Sequence, residues 1–318
     1  MLKGIQSKYI ILQIFGNLAE RTLLKLIQHN KEFQRNANKT LNDYKTFKDI
    51  EIELIPDDNL SGGETFINFI DERSFFHIYL NDNEEESKEN YITKNQKIYK
   101  IKVILGNQIK SLRGLFKDCK CLKEVYFTKF NRKDITDLGS LFEQCTSIIK
   151  LDVSKLITDN VIRMDWVFYK CESLLELNVD NFNTKNVTDM SCIFKHCDLI
   201  KELNLSNFNT SSVTYMRGMF SNCISLEQLD LSNFDTSNVI DMRWMFYGCS
   251  NLRELNIYNF DTSNVEDQRW MFEGCNSLIN LDISQPIFNG EIDMESVLTY
   301  FPDKNKINRT IIKKNSNK

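Results

Sequence analysis

Residues 226–251 read LEQLDLSNFDTSNVIDMRWMFYGCSN, and variants of this 26-residue unit recur along most of the 318-residue chain. The motif Phe-x-x-Cys marks the period, running without insertion from Phe116 and Cys119 through Phe142, Phe168, Phe194, Phe220 and Phe246 to Phe272 and Cys275. An unbroken period over seven copies means one coil geometry stacked on itself, a solenoid. Within the unit, Leu229 and Leu231 alternate with polar residues, as in a short strand with one buried face. Phe234 then turns inward, and Asp235-Thr236-Ser237-Asn238 supplies a polar turn with helix-capping residues. Val239, Met242, Met245 and Phe246 follow at spacings of three, three and one. That spacing predicts the apolar face of a short helix or 3₁₀ segment.

The apolar sites keep their character at each step. One strand site reads Val125, Leu151, Leu177, Leu203, Leu229, Leu255 and Leu281; the corner site reads Phe130, Leu156, Phe182, Phe208, Phe234, Phe260 and Pro286. A single coil buries too little to fold alone, so burial and hydrogen bonding shared between coils must hold the stack together. Stepping back 26 residues from Val125 and Phe127 reaches Tyr99 and Ile101, so the run 98–105 is expected to be the N-terminal cap strand.

Phrases such as Asn233 to Val239 followed by Asp241 to Cys249, repeated at 181–187, 207–213 and 259–265, resemble the BspA-type leucine-rich repeats. The resemblance covers roughly residues 98–290. It implies an α/β leucine-rich-repeat solenoid of seven coils, each with a short strand and a short helix or 3₁₀ segment. Members of that family are often cell-surface or adhesive proteins, and intracellular eukaryotic relatives exist.

Four segments are expected: a helical segment at 1–48, a β-rich connecting segment with an acidic loop at 49–97, the solenoid at 98–290, and a capping helix with a basic tail at 291–318. In the first, Ile14, Phe15, Leu18, Leu23, Leu24 and Ile27 are spaced as two short amphipathic helices. Their order resembles the opening of an F-box, the motif by which substrate receptors dock on a cullin ubiquitin-ligase adaptor. The usual Leu-Pro start is replaced by Ser7-Lys8-Tyr9, and an ordinary helical cap or dimerisation element is the alternative.

Composition and chemistry narrow the function. With 40 basic against 44 acidic residues and a formal net charge of -4, nothing points to nucleic acid. No stretch of 18 apolar residues exists to span a membrane, and Tyr9 to Phe15 lacks the regions of an export signal. The nine cysteines read as buried, reduced thiols, since seven sit at one apolar position of the coil. Cys192, His196 and Cys197 match no standard zinc spacing, and no phosphate loop or nucleophile elbow occurs. No catalytic, metal or cofactor residues are therefore assigned.

Two surface stripes remain. The outward strand positions, centred on Glu176, Asn178, Glu202, Asn204, Gln228, Asp230, Glu254 and Asn256, stack into an acidic-to-polar face suited to holding a partner. A second stripe, on the side expected to be helical, carries Arg217, Arg243, Trp244, Arg269 and Trp270, residue types enriched at binding hot spots. The reading is a non-enzymatic, cytoplasmic protein-interaction module, whose sharper form is a substrate-recognition adaptor. The alternative is a cell-surface or secreted adhesin.

Overall fold

A computed structural model describes residues 48–58, 62–93 and 96–282. The segment expected to be helical (apart from Lys48), the adaptor-docking candidates Ile14, Phe15, Leu18, Leu23, Leu24 and Ile27, and the capping helix and tail over 291–318 lie outside these residues.

The described strands are β1 (Ile50–Pro56), β2 (Glu64–Thr65), β3 (Phe76–Leu80), β4 (Glu86–Ser87), β5 (Tyr91–Ile92), β6 (Ile101–Leu105), β7 (Leu122–Lys129), β8 (Lys150–Asp152), β9 (Gln228–Asp230), β10 (Glu254–Asn256) and β11 (Asn280–Asp282). The first coils continue a sheet of order β4-β3-β6-β1-β7-β8, and β11-β10-β9 forms a second sheet. Successive coil strands pair in parallel, Val125 beside Leu151 and Leu255 beside Leu229 and Leu281.

The N-terminal cap differs from the expectation drawn from the 26-residue step. The strand 101–105 does form, but β1 stands between it and β7, antiparallel to both, with Ile52 opposite Val103 and Leu54 opposite Val125. Ile50, Ile52 and Leu54 are buried on one face of β1. On its other face Glu51 meets Lys129 at 2.9 Å and Glu53 meets Lys100 at 2.8 Å, charge pairs that favour this register. Counting residues along the chain locates a strand but not its neighbour, because partner choice is a long-range matter.

Each coil is held to the next by the phrase Asn-Phe-Asp-Thr-Ser-Asn-Val. Asn233 Nδ2 donates to the carbonyls of Leu205 and Phe208 one coil earlier, at 3.0 and 2.9 Å. Thr236, fully buried, donates to the Asp261 carbonyl at 2.8 Å and accepts the Asp261 amide at 2.7 Å. Asp235 caps the turn by accepting the amide of Ser237 at 3.0 Å. Thr158, Thr184, Thr210 and Thr262 are buried in the same slot. In the first coil that slot holds Arg132, fully buried, which reaches back to the carbonyls of Gly106 and Ile109 and ties the solenoid to its cap. Burial opposes ionisation of its partner Asp134, but hydrogen bonds from Arg132 and Lys110 outweigh it and hold that carboxyl well below the usual range.

The short helix expected in each coil does not form; the described repeats contain strands and turns only. In residues 242–249 the amides, apart from that of Arg243, which the Asp241 carboxylate accepts, have two destinations. Those of Met245, Tyr247 and Cys249 close tight turns on Met242, Trp244 and Phe246, at 3.2, 3.1 and 3.2 Å. Those of Met242, Trp244, Phe246 and Gly248 cross to the next coil's Asp267, Arg269, Met271 and Glu273, at 2.8, 3.1, 2.9 and 2.7 Å. Two residues take positive φ, Trp244 at 56° and Gly248 at 71°, each third in a four-residue turn, as a type II turn requires. A train of four-residue turns places Met242, Met245, Phe246 and Cys249 inward, much as a helix does. The amides are spent between coils instead of within one.

The core is a column of rings and thiols. Phe116, Phe142, Phe168, Phe194, Phe220, Phe246 and Phe272 stack in parallel, with centroids 5.5–5.9 Å apart. Beside them Cys223 donates its S–H to the Phe194 carbonyl at 3.1 Å and Cys249 to that of Phe220 at 3.0 Å, and the ladder repeats this at each coil from Cys145 on. All nine cysteines are free and buried, and burial pushes the Cys223 and Cys275 thiols up to about 12.

Candidate interaction surfaces

On the strand face Glu176, Asn178, Glu202, Asn204, Gln228, Asp230 and Glu254 are exposed and Asn256 is half-buried, so the structure brings the eight candidates into one row. They divide by task. Asn178, Asn204, Asp230 and Asn256 each accept the amide two residues on, at 2.9–3.2 Å, and so shape the turn after the strand. Glu176 and Glu202 form no ion pair among the described residues and face solvent.

The face is not uniform. Strands 150–152 and 228–230 are paired to a neighbour, but the equivalent residues 176–178 and 202–204 are not paired as strands. Glu176 and Glu202 sit one step apart on the row, the only place there where two glutamates adjoin, and like charges opposite one another weaken a ladder. A shallow hollow of about 590 Å³ opens there, lined by Leu175, Glu176, Asn178, Lys201, Glu202 and Asn204. A second, of about 600 Å³, continues over Gln228, Asp230, Glu254 and Asn256. Leu175, 57% exposed, and Leu199, 44% exposed, rim the first hollow and were not singled out from sequence. The sequence offered little signal for Leu175: at the 26-residue step it shares an outward position with Lys123, Ile149, Lys201, Glu227, Arg253 and Ile279, so an apolar residue there is not distinctive.

The second stripe lies on the turn edge, not on a helix. Trp244 and Trp270 stack at 5.3 Å with planes 7° apart, and Arg217 lies over Trp244 at 4.6 Å. Arg269 lies 5.1 Å from the Trp270 ring centre. Arg243 and Arg269 are held by the aspartates two residues before them, Asp241 and Asp267, each at 2.6 Å. The hydrogen bond from Arg269 keeps the Asp267 carboxyl below its ordinary range. Arg217 makes no ion pair among the described residues. Earlier on this edge Arg113 passes over Gly139, where a Cβ would collide with it, to reach Asp165 two coils on at 2.8 Å.

The tryptophans are in the conformation least suited to them. Their slot reads Gly114, Ser140, Trp166, Cys192, Gly218, Trp244 and Trp270, every one at positive φ between 55° and 67°. For a bulky residue that costs about 1–3 kcal/mol. For Trp244, stacking on Trp270 returns about 0.5–1.5 kcal/mol, and the guanidinium of Arg217 about 0.5–1 kcal/mol. The half-buried Trp244 ring also covers apolar surface, so its packing offsets the backbone strain.

Cys192, His196 and Cys197 do not converge. Cys197 donates to the Phe168 carbonyl at 3.3 Å, Cys192 to that of Arg217 at 3.5 Å, and His196 faces Asp198 and Asn222. Among the described residues no group of three potential ligands is placed to hold a metal ion, and no helix is long and apolar enough to cross a membrane.

The family described as "Mycoplasma protein of unknown function, DUF285" matches over residues 110–204 and 193–312. No curated protein matches the chain. A crystal structure of a leucine-rich repeat protein from Bacteroides ovatus is similar at 19% identity and a TM-score of 0.30, over 52% of this chain and 45% of that one. The chain thus spans less than half the length of that protein.

Proposed function

The chain belongs to the DUF285 family, a BspA-like repeat family, and on that premise we propose that it is a non-enzymatic protein-interaction module which holds a partner on its strand face. The observation that carries this reading is the open stretch at 176–178 and 202–204, where two solvent-facing glutamates and two exposed leucines surround one hollow. Its chemistry suits an extended segment bearing both basic and apolar side chains, since Glu176, Asp180 and Glu202 line it with exposed Leu175 and Leu199 against a single basic residue, Lys201.

The test compares proteins captured by the full chain with those captured by a Glu176→Lys, Glu202→Lys double variant. The expected result is loss of a partner with the melting temperature unchanged. The same partners retained by both forms would overturn the reading. The nine free thiols support a reducing, cytoplasmic setting, and surface labelling of intact cells separates this from an adhesin. The finer reading as a substrate receptor rests on the spacing of Ile14, Phe15, Leu18, Leu23, Leu24 and Ile27 alone. Leu18→Asp with Leu24→Asp is expected to release a cullin-ligase adaptor from the captured set, and no adaptor with the unaltered chain ends that reading.

A further inference from the structure

We propose that the turn edge around Arg217, Trp244 and Trp270 is a second docking surface, and that its partner is an acidic, extended protein segment. It lies on the turns, apart from the strand face, and does not depend on the function proposed for that face.

Three observations identify the partner chemistry. Trp244 has Arg217 at 4.6 Å and Trp270 at 5.3 Å, so its ring is already sandwiched and has no face for a base or a sugar to stack on. What the edge offers is indole Nε1–H and guanidinium N–H, all donors, and neither indole N–H meets an acceptor among the described residues. Its arginines are also unequal: Arg243 and Arg269 are neutralised by Asp241 and Asp267, whereas Arg217 is exposed without a carboxylate. Donors beside one uncompensated positive charge select carboxylates. Tyr215, 43% exposed and bridged to Asp241 in the neighbouring coil, extends the aromatic edge. A nucleic acid is disfavoured by the net charge of -4 and by the flanked Trp244 ring, and a thymidine strand tests stacking on the more exposed Trp270.

The test is fluorescence anisotropy of labelled decaglutamate, decalysine and a ten-nucleotide thymidine strand against the full chain at low salt. Decaglutamate is expected to bind at this edge in preference to the thymidine strand, and decalysine, which suits the acidic strand face, is expected to be unaffected by substitutions at the edge. Arg217→Gln, and Trp244→Gly with Trp270→Gly, are each expected to weaken decaglutamate binding by about tenfold or more. Glycine suits the backbone at both sites, so the double variant should stay folded, and Arg217→Gln leaves the backbone untouched in any case. Glu176→Gln with Glu202→Gln should not weaken decaglutamate binding, which separates this edge from the strand face. Unchanged decaglutamate binding in both edge variants, or thymidine-strand binding that exceeds decaglutamate binding and is lost in those variants, would overturn the proposal.

Discussion

At the corner around Thr236 the side chains of Asn233, Thr236 and Asn238 bond to neighbouring coils, whereas at the edge around Trp244, eight residues later, the hydrogen bonds to the next coil come from the backbone, supplemented by an ion pair from Arg243 to Asp267. The two corners differ accordingly in how much their side chains vary from coil to coil. The buried slot at the first reads threonine from coil to coil after Arg132; the slot at the second reads Gly114, Ser140, Trp166, Cys192, Gly218, Trp244 and Trp270. Where a side chain supplies the inter-coil bond, its chemistry is dictated by its neighbour. Where backbone amides supply it, only a positive φ is dictated, and the side chain is left free for other uses.

The comparison can be broken most severely at the column that both corners share. Phe220→Ala removes one ring from the stack with Phe194 and Phe246, at 5.7 and 5.6 Å. It is expected to cost about 3–5 kcal/mol in urea unfolding. Thr236→Val keeps the shape but orphans the Asp261 amide and carbonyl, with an expected loss of about 2–3 kcal/mol by the same measurement. A loss below about 0.5 kcal/mol would show that the side-chain corner is no more constrained than the backbone one.

Acid titration probes the turn edge at Asp165. Burial opposes its ionisation, but Arg113 and Arg163 outweigh that and depress its pKa below the ordinary value. A carboxyl with a depressed folded pKa contributes stability that is complete above its unfolded pKa, near 4, and is lost as pH falls through the folded value. Thermal melts between about pH 5 and pH 2 are therefore expected to show a falling melting temperature, with a shallower fall in Asp165→Asn. The smallest effect belongs to Trp244→Gly. Relief of the backbone offsets part of the lost ring contacts and burial, so stability is expected to fall by about 1–2 kcal/mol. A large loss would make the indole structural and remove the contrast between the corners.

Much of the coil was legible beforehand because stacking forces each inward slot to repeat. Phe234, Phe246 and Cys249 announce themselves by recurrence, and all three are buried. The helix expected over 239–246 illustrates the limit of such reading. Spacings of three, three and one fit a helix and a train of four-residue turns equally, and the choice depends on amides finding carbonyls 25 residues away. The two stripes were visible as rows, but not the tasks within them. Asn178 and Asp230 proved to shape turns, Arg217 to lack a carboxylate, and Leu175 and Leu199 to rim a hollow.

The sequence by itself determined the period, the inward ladders and the polar rows, because one-dimensional repetition maps directly onto a stack in which each coil packs mainly on its neighbours. Only the tertiary structure decided that β1 stands between β6 and β7, that the turn amides join coils in place of forming helices, and that the strand row opens beside Glu176 and Glu202. Each of these is a choice among partners distant in the chain. The difference in hydrogen bonding and charge between rival partners is set in space and leaves no local pattern along the sequence.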